Sequence, residues 1–334
     1  MKRVAIVVLA VLAVACSDDG SPAADEDGGN EDGAQGSGDT AGVDADTAAG
    51  DSTGPLDPSL DDGAELDVTG ADGSSTGDGP GEGGTPGCGL PVEPGAGEVE
   101  LDVGSDARTY TIVVPAGYDP STPMPLVFAW HGLASNAEQA RAYFGVEEAA
   151  AGAAIFVYPN GLPLADMGGQ SGWDLAPTGI DVAFFDAMLQ QLSAEMCIDP
   201  ARVFSTGHSF GGFMSNALGC FRGDALRAIG AVAGGPAFAA CEPGRVAGLM
   251  VHGTLDEIVA FELGVMARDA LLERNACADT TMPTDPDPCV AYDGCDAGYD
   301  VHWCEHSDPA FQGHTWPSWA GPAIWAFFAG LAPE

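Results

Sequence analysis

Gly207-His208-Ser209-Phe210-Gly211 is where residue type and spacing first suggest covalent chemistry. The short apolar run 203–205 before it reads as a strand, and Phe213 to Phe221 after it falls at helical spacing. A sharp strand-to-helix turn of this kind lifts a serine hydroxyl to the top of a sheet, and the flanking glycines let backbone pass where a Cβ would clash. The helix N-terminus also favours developing negative charge. Ser209 is therefore the nucleophile candidate, although the bare pattern also arises by accident.

A serine hydroxyl needs a base to take its proton, and on such a turn the partners follow in the order acid, then histidine. Met250-Val251-His252-Gly253-Thr254-Leu255-Asp256 is a strand end followed by a loop, which makes Asp256 the acid candidate. Its side chain also suits a helix N-cap. His314, in the glycine-bounded segment Gly313-His314-Thr315-Trp316-Pro317 before the last helix, is the base candidate. His302 and His306, four apart, would share a helix face as metal ligands. The Trp303-Cys304 between them favours a strand or loop, which leaves a surface pair or an alternative base. The tetrahedral oxyanion needs N–H donors, and the expected ones are Phe210, after the nucleophile, and Leu133, in His131-Gly132-Leu133-Ala134. His131 precedes Ser209 at a strand end and suits a loop-bracing hydrogen bond. Trp173 and Trp316 are candidates for a substrate cleft, with ordinary packing as the alternative.

These groups need a scaffold. Runs at 110–114, 126–130, 154–158, 203–205, 228–232 and 249–251 read as strands. Helical spacing appears at Phe185, Met188, Leu189, Leu192 and Met196, then at Met214, Leu218 and Phe221, and near 322–331. Continuous apolar strands separated by helices predict an α/β fold with a mostly parallel sheet covered on both faces. Residues 275–310, rich in Cys, Asp and Pro, read as a disulfide-tied excursion.

The chain has 334 residues, of which 17–87 contain nineteen Asp and Glu, no Lys or Arg and no aromatic residue. Such a segment cannot bury enough apolar surface to offset its ordering entropy. Residues 16–87 are thus expected to be a disordered acidic tether, and 88–334, with all 26 aromatics, the catalytic domain. The formal charge of −40 divides into −19 on the tether and −23 on the domain, offset by Lys2 and Arg3. That charge disfavours nucleic acid and electrostatic membrane docking and leaves neutral polymers and small esters as substrates. Met1-Lys2-Arg3 and twelve apolar residues at 4–15 form a secretory signal too short to span a bilayer. Ala13-Val14-Ala15-Cys16 resembles a bacterial lipobox, so Cys16 is the expected lipidation site. The alternative is an ordinary signal peptide and plain secretion. Residence is extracytoplasmic either way, with a lipid anchor at the outer membrane or cell surface as the first expectation. Eight further cysteines, Cys88, Cys197, Cys220, Cys241, Cys277, Cys289, Cys295 and Cys304, suggest disulfides, and their spacing allows 105 connectivities.

Taken in order, Gly87-Cys88-Gly89, Arg108-Thr109-Tyr110, His131-Gly132, Tyr158-Pro159-Asn160-Gly161, Gly172-Trp173, Asp181-Val182-Ala183-Phe184, Gly207 to Gly212, His252 to Asp256 and Gly313 to Pro317 resemble the feruloyl esterase and polyhydroxybutyrate depolymerase group of α/β-hydrolases. The resemblance spans nearly all of 88–334. It implies an α/β-hydrolase fold and a serine esterase with Ser209, Asp256 and His314 as triad and neither cofactor nor metal; the chain is expected to be a monomer. It also implies the pairs Cys88–Cys197, Cys220–Cys241 and Cys277–Cys295, with Cys289 and Cys304 left to join each other. The implied reaction is hydrolysis of feruloyl or related acyl esters on plant cell-wall polysaccharide. Depolymerisation of a hydroxyalkanoate polyester, deacetylation of xylan, and an inactive surface-displayed binding module are the alternatives.

Overall fold

A computed structural model describes residues 83–331. The signal segment, Cys16 and the tether up to residue 82 lie outside the described residues, as do 332–334. Among the described residues there are twelve strands: β1 (Gly95–Val103), β2 (Asp106–Val114), β3 (Met124–Trp130), β4 (Ile155–Pro159), β5 (Leu162–Leu164), β6 (Gln170–Gly172), β7 (Ile198–His208), β8 (Ala228–Val232), β9 (Ala247–Gly253), β10 (Thr281–Pro283), β11 (Cys289–Tyr292) and β12 (Val301–His306). β5 and β6 form a separate hairpin, and the other ten make one sheet in the order β1-β2-β4-β3-β7-β8-β9-β12-β11-β10. The six strands from β4 to β12 run parallel, with antiparallel pairs at both edges.

Helices cover both faces because side chains alternate along each strand. In β3, Leu126, Phe128 and Trp130 enter one core with the helices Ile180–Glu195, Phe210–Phe221 and Phe261–Arg274. Val127 and Ala129 enter the other, with Ala137–Phe144, Val146–Ala150 and Ala320–Gly330. In that second layer Phe204 of β7 stacks on Phe328 with centroids 4.4 Å apart, and burying one such ring contributes roughly 1.5–3 kcal/mol. One ion pair crosses the first layer: Arg108 of β2 donates to Asp181, both buried, and its guanidinium lies 4.1 Å from the centre of the Phe184 ring. That pair ties the sheet to the helix beginning at Ile180.

Two parts of the main sheet differ from the sequence expectation. β1 alternates Glu98-Val99-Glu100-Leu101-Asp102-Val103, a period-two signal that marks a half-buried edge strand. The excursion 275–310 contains β10, β11 and β12, and β12 is the sixth parallel strand. Its polar His302, Glu305 and His306 hide the strand, while Val301 and Trp303 fill the core beside β9. Disulfides join Cys88–Cys197, Cys220–Cys241, Cys277–Cys295 and Cys289–Cys304, the last between directly opposed residues of β11 and β12. Four bridges are what an oxidising, extracytoplasmic compartment permits.

Candidate active site

β7 ends at His208 and the next helix begins at Phe210, so the chain turns on Ser209 alone. Ser209 has φ 57° and ψ −120°, a conformation that costs a non-glycine residue on the order of 1–3 kcal/mol. Two features hold it there. Its N–H donates to the Val232 carbonyl at 2.9 Å, and Gly211 sits so close to β3 that a Cβ would lie 1.9 Å from the Trp130 oxygen. The serine is 7% exposed.

Asp256 and His314, 58 residues apart, meet directly, with Nδ1 of the ring 2.7 Å from Oδ2. The other carboxylate oxygen accepts the N–H groups of Ile258 and Val259 at 2.9 and 2.8 Å. Asp256 therefore shapes a tight turn and caps no helix, because the following helix starts at Phe261 with Ala260 at its N-cap. The two loops interlock at Gly313, φ 79°, where a Cβ would fall 2.1 Å from the Leu255 oxygen. Phe311 and Gln312 before it are also left-handed, and the Gln312 carbonyl accepts the Glu257 N–H at 2.9 Å. Burial pushes the Asp256 carboxyl up, but the His252 and His314 imidazoles and the Val259 N–H outweigh it and hold the group well below the usual carboxylate range.

His314 Nε2 is buried with no hydrogen-bond partner among the described residues, so Ser209 Oγ is not bonded to it. The rings of His314 and His208, the residue before Ser209, stack with centroids 5.0 Å apart. His208 Nδ1 in turn meets the Tyr143 hydroxyl at 3.0 Å. Burial, with His314 close by, keeps the His208 imidazole well below its ordinary pKa, hence neutral. Neither His208 nor Tyr143 was marked by sequence: one is the variable position of a motif, the other lies 65 residues away.

The loop after β3 passes beside the serine, and a Cβ on Gly132 would lie 3.4 Å from Ser209 Cβ. Among the described residues neither the Leu133 nor the Phe210 N–H has a backbone acceptor. His131 braces this loop. Its Nε2 accepts the Gly161 N–H at 3.0 Å, so Nδ1 carries the proton and donates to the Gly132 carbonyl at 2.6 Å. Trp173 is 1% exposed, packs edge-on against Trp130 and donates to the His131 carbonyl at 2.8 Å. It thus supports the loop from below and lines no open cleft. Trp316 is likewise buried, stacked 4.1 Å from Phe144 with its N–H on the Phe144 carbonyl. His302 and His306 lie on β12, His302 against Phe327 and His306 against the Asp308 N–H. Among the described residues no group of three or more His, Cys, Asp or Glu is arranged to hold a metal ion.

A parallel sheet flanked by helices, with a strained serine at a strand-to-helix turn, defines the chain as an α/β-hydrolase. Solved structures agree on the fold. Acetyl xylan esterase from Aspergillus awamori superposes with a TM-score of 0.56 at 15% identity, covering 70% of this chain and 99% of that one. A ferulic acid esterase from Anaeromyces mucronatus, solved with ferulic acid, gives 0.50 at 18% identity, covering 72% and 92%. In sequence the chain is 33% identical over 261 residues to feruloyl esterase C of Emericella nidulans, covering 73% of this chain and 90% of that one. It is 33% identical over 240 residues to feruloyl esterase D of Neurospora crassa, covering 66% and 80%. No family model matches. The chain belongs to the feruloyl esterase family and is a carboxylic ester hydrolase.

Proposed function

We propose that this chain is an exported serine esterase that removes feruloyl-type acyl groups from plant cell-wall polysaccharide, with Ser209, His314 and Asp256 as its triad. The observation that carries this reading is the 2.7 Å contact of Asp256 with His314 Nδ1, which leaves Nε2 without a partner among the described residues, on a ring stacked against His208, the residue before the strained Ser209. Because Asp256 accepts at Nδ1, the neutral ring carries its proton there and Nε2 is free to take the Ser209 proton. Catalytic hydrogen bonds to the nucleophile are commonly long in an empty site and tighten when substrate binds. Ser209 Oγ then attacks the ester carbonyl carbon, and the Phe210 and Leu133 N–H groups receive the developing oxyanion. His314 returns the proton to the leaving alcohol oxygen as its bond to the acyl carbon breaks. Water, deprotonated by His314, then attacks the acyl carbon, and the acid leaves as the bond to Ser209 Oγ breaks and His314 returns the proton to that oxygen. The substrate class rests on the names of the curated relatives and on the acidic surface, which suits a neutral polymer.

Export and anchoring belong to the same proposal and rest on residues 1–16, with diacylated Cys16 holding the domain outside the inner membrane on the acidic segment. The test of function is Ser209→Ala, assayed beside wild type on methyl ferulate, acetylated xylan and hydroxybutyrate oligomers. Wild type is expected to prefer methyl ferulate, and the folded variant to lose activity on every substrate. A variant that keeps a substantial share of wild-type turnover removes Ser209 from its role, and a preference for hydroxybutyrate oligomers replaces the substrate class.

A further inference from the structure

Asp256 is gripped from two sides by imidazoles, and the esterase mechanism uses only one of them. His252, next to last in β9, is 1% exposed. Its Nε2 lies 2.9 Å from the Val259 carbonyl oxygen and 3.5 Å from Asp256 Oδ2. A carbonyl and an ionised carboxylate only accept, so Nε2 must carry the ring's proton. On the other side the ring abuts the helix Phe261–Arg274 at Gly264, where a Cβ would fall 2.2 Å from Nδ1. Phe261 meets the ring edge-on, with centroids 5.9 Å apart. The imidazole is thus clamped between a helix backbone and the loop that bears the acid.

That loop is short, and its polar groups are committed. The Ile258 and Val259 N–H groups bind Oδ1, while the carbonyl of the same Val259 takes the His252 proton. Rotation of the carboxylate away from His314 would break the two hydrogen bonds from the Ile258 and Val259 N–H groups and carry Oδ2 away from the His252 N–H. We propose that His252 is a positioning residue for the acid, its single Nε2 proton holding Val259 and Asp256 so that Oδ2 stays on His314. This role rests on the triad reading. His252 does not face the reacting atoms, so its loss should weaken the orientation of His314 and leave substrate binding alone.

Two variants separate this role from simple packing. His252→Phe keeps a ring and removes the N–H, whereas His252→Gln keeps a donor near the Nε2 position. On methyl ferulate, kcat of the Phe variant is expected to fall about ten-fold or more with KM within about two-fold, and Gln to restore most of it. The downfield proton of the His314–Asp256 bond should shift in the Phe variant and hold in the Gln variant. Wild-type turnover in a folded Phe variant, or equal losses in both, overturns the proposal. Asp256→Asn measured alongside keeps the two ideas apart. If Asp256→Asn is silent, the triad and this role fall together; if it is crippled while His252→Phe is not, this role alone falls. The wild-type protein supplies a check that needs no variant: nitrogen NMR should find His252 protonated at Nε2 and bare at Nδ1, and the opposite tautomer refutes the assignment.

Discussion

His131 should make this protein acid-sensitive by an amount the structure specifies. Burial pushes the imidazole down to about 4, against the hydrogen bond to the Gly132 carbonyl, which favours the protonated ring. In the unfolded chain the group titrates near ~6.5. Between those values the unfolded state binds a proton that the folded state refuses, so stability falls as pH drops from about 6.5 to 4 and is recovered above that window. At 1.36 kcal/mol per unit, the gap amounts to about 3 kcal/mol lost between pH 7 and 4. With a urea m-value of about 3 kcal/mol/M, suited to a large domain, the unfolding midpoint should drop by roughly 1 M from this residue alone. His131→Asn keeps a donor for the Gly132 carbonyl and removes the titration. The variant is less stable at pH 7, because the Gly161 N–H loses its acceptor, but its midpoint should depend on pH less steeply than that of wild type by that amount. The assay is urea unfolding of both proteins at several pH values between 4 and 7. Parallel curves would show that the buried ring is not the proton-linked group and would refute the reasoning.

Asp256→Asn should lower kcat on the order of 10³-fold or more, since an amide N–H facing His314 favours the wrong tautomer; single-turnover kinetics measure it, and a loss below ten-fold would move the acid elsewhere. Gly313→Ala forces a side chain into a left-handed site and against the Leu255 carbonyl, so a destabilisation of about 2–4 kcal/mol is expected, with lower turnover as the loops part. Thermal unfolding reads the effect, and an unchanged melting temperature would contradict the interlocked-loop geometry. Cys16→Ser should move active enzyme from the membrane fraction into the soluble one. Wild-type protein recovered from the medium with an N-terminus beyond Cys16 would instead indicate plain secretion.

The strands that carry the site were legible because burial on both faces leaves a mark in the local sequence. The runs at 126–130, 154–158, 228–232 and 249–251 coincide with β3, β4, β8 and β9, whose residues are nearly all buried. The turn at Ser209 was legible for a related reason, as only glycine tolerates carbonyl oxygens as close as those at Gly211. Trp303-Cys304 favours a strand or loop at His302 and His306, but that β12 completes the parallel array is not legible, because a strand at the edge of that array mixes core residues with polar ones.

What sequence by itself determined, then, is the scaffold and the turn at Ser209, since apolar periodicity and glycine placement are local consequences of burial and close approach. Tertiary structure alone decided which groups touch. No local pattern records that Asp256 and His314 meet across 58 residues, that His208 stacks on His314 under the Tyr143 hydroxyl, or that Trp173 lies beneath a loop instead of lining a cleft. Those contacts follow from sheet register and from the interlocking of loops at Gly313, where a shift of a single residue in either loop would separate the acid from its histidine.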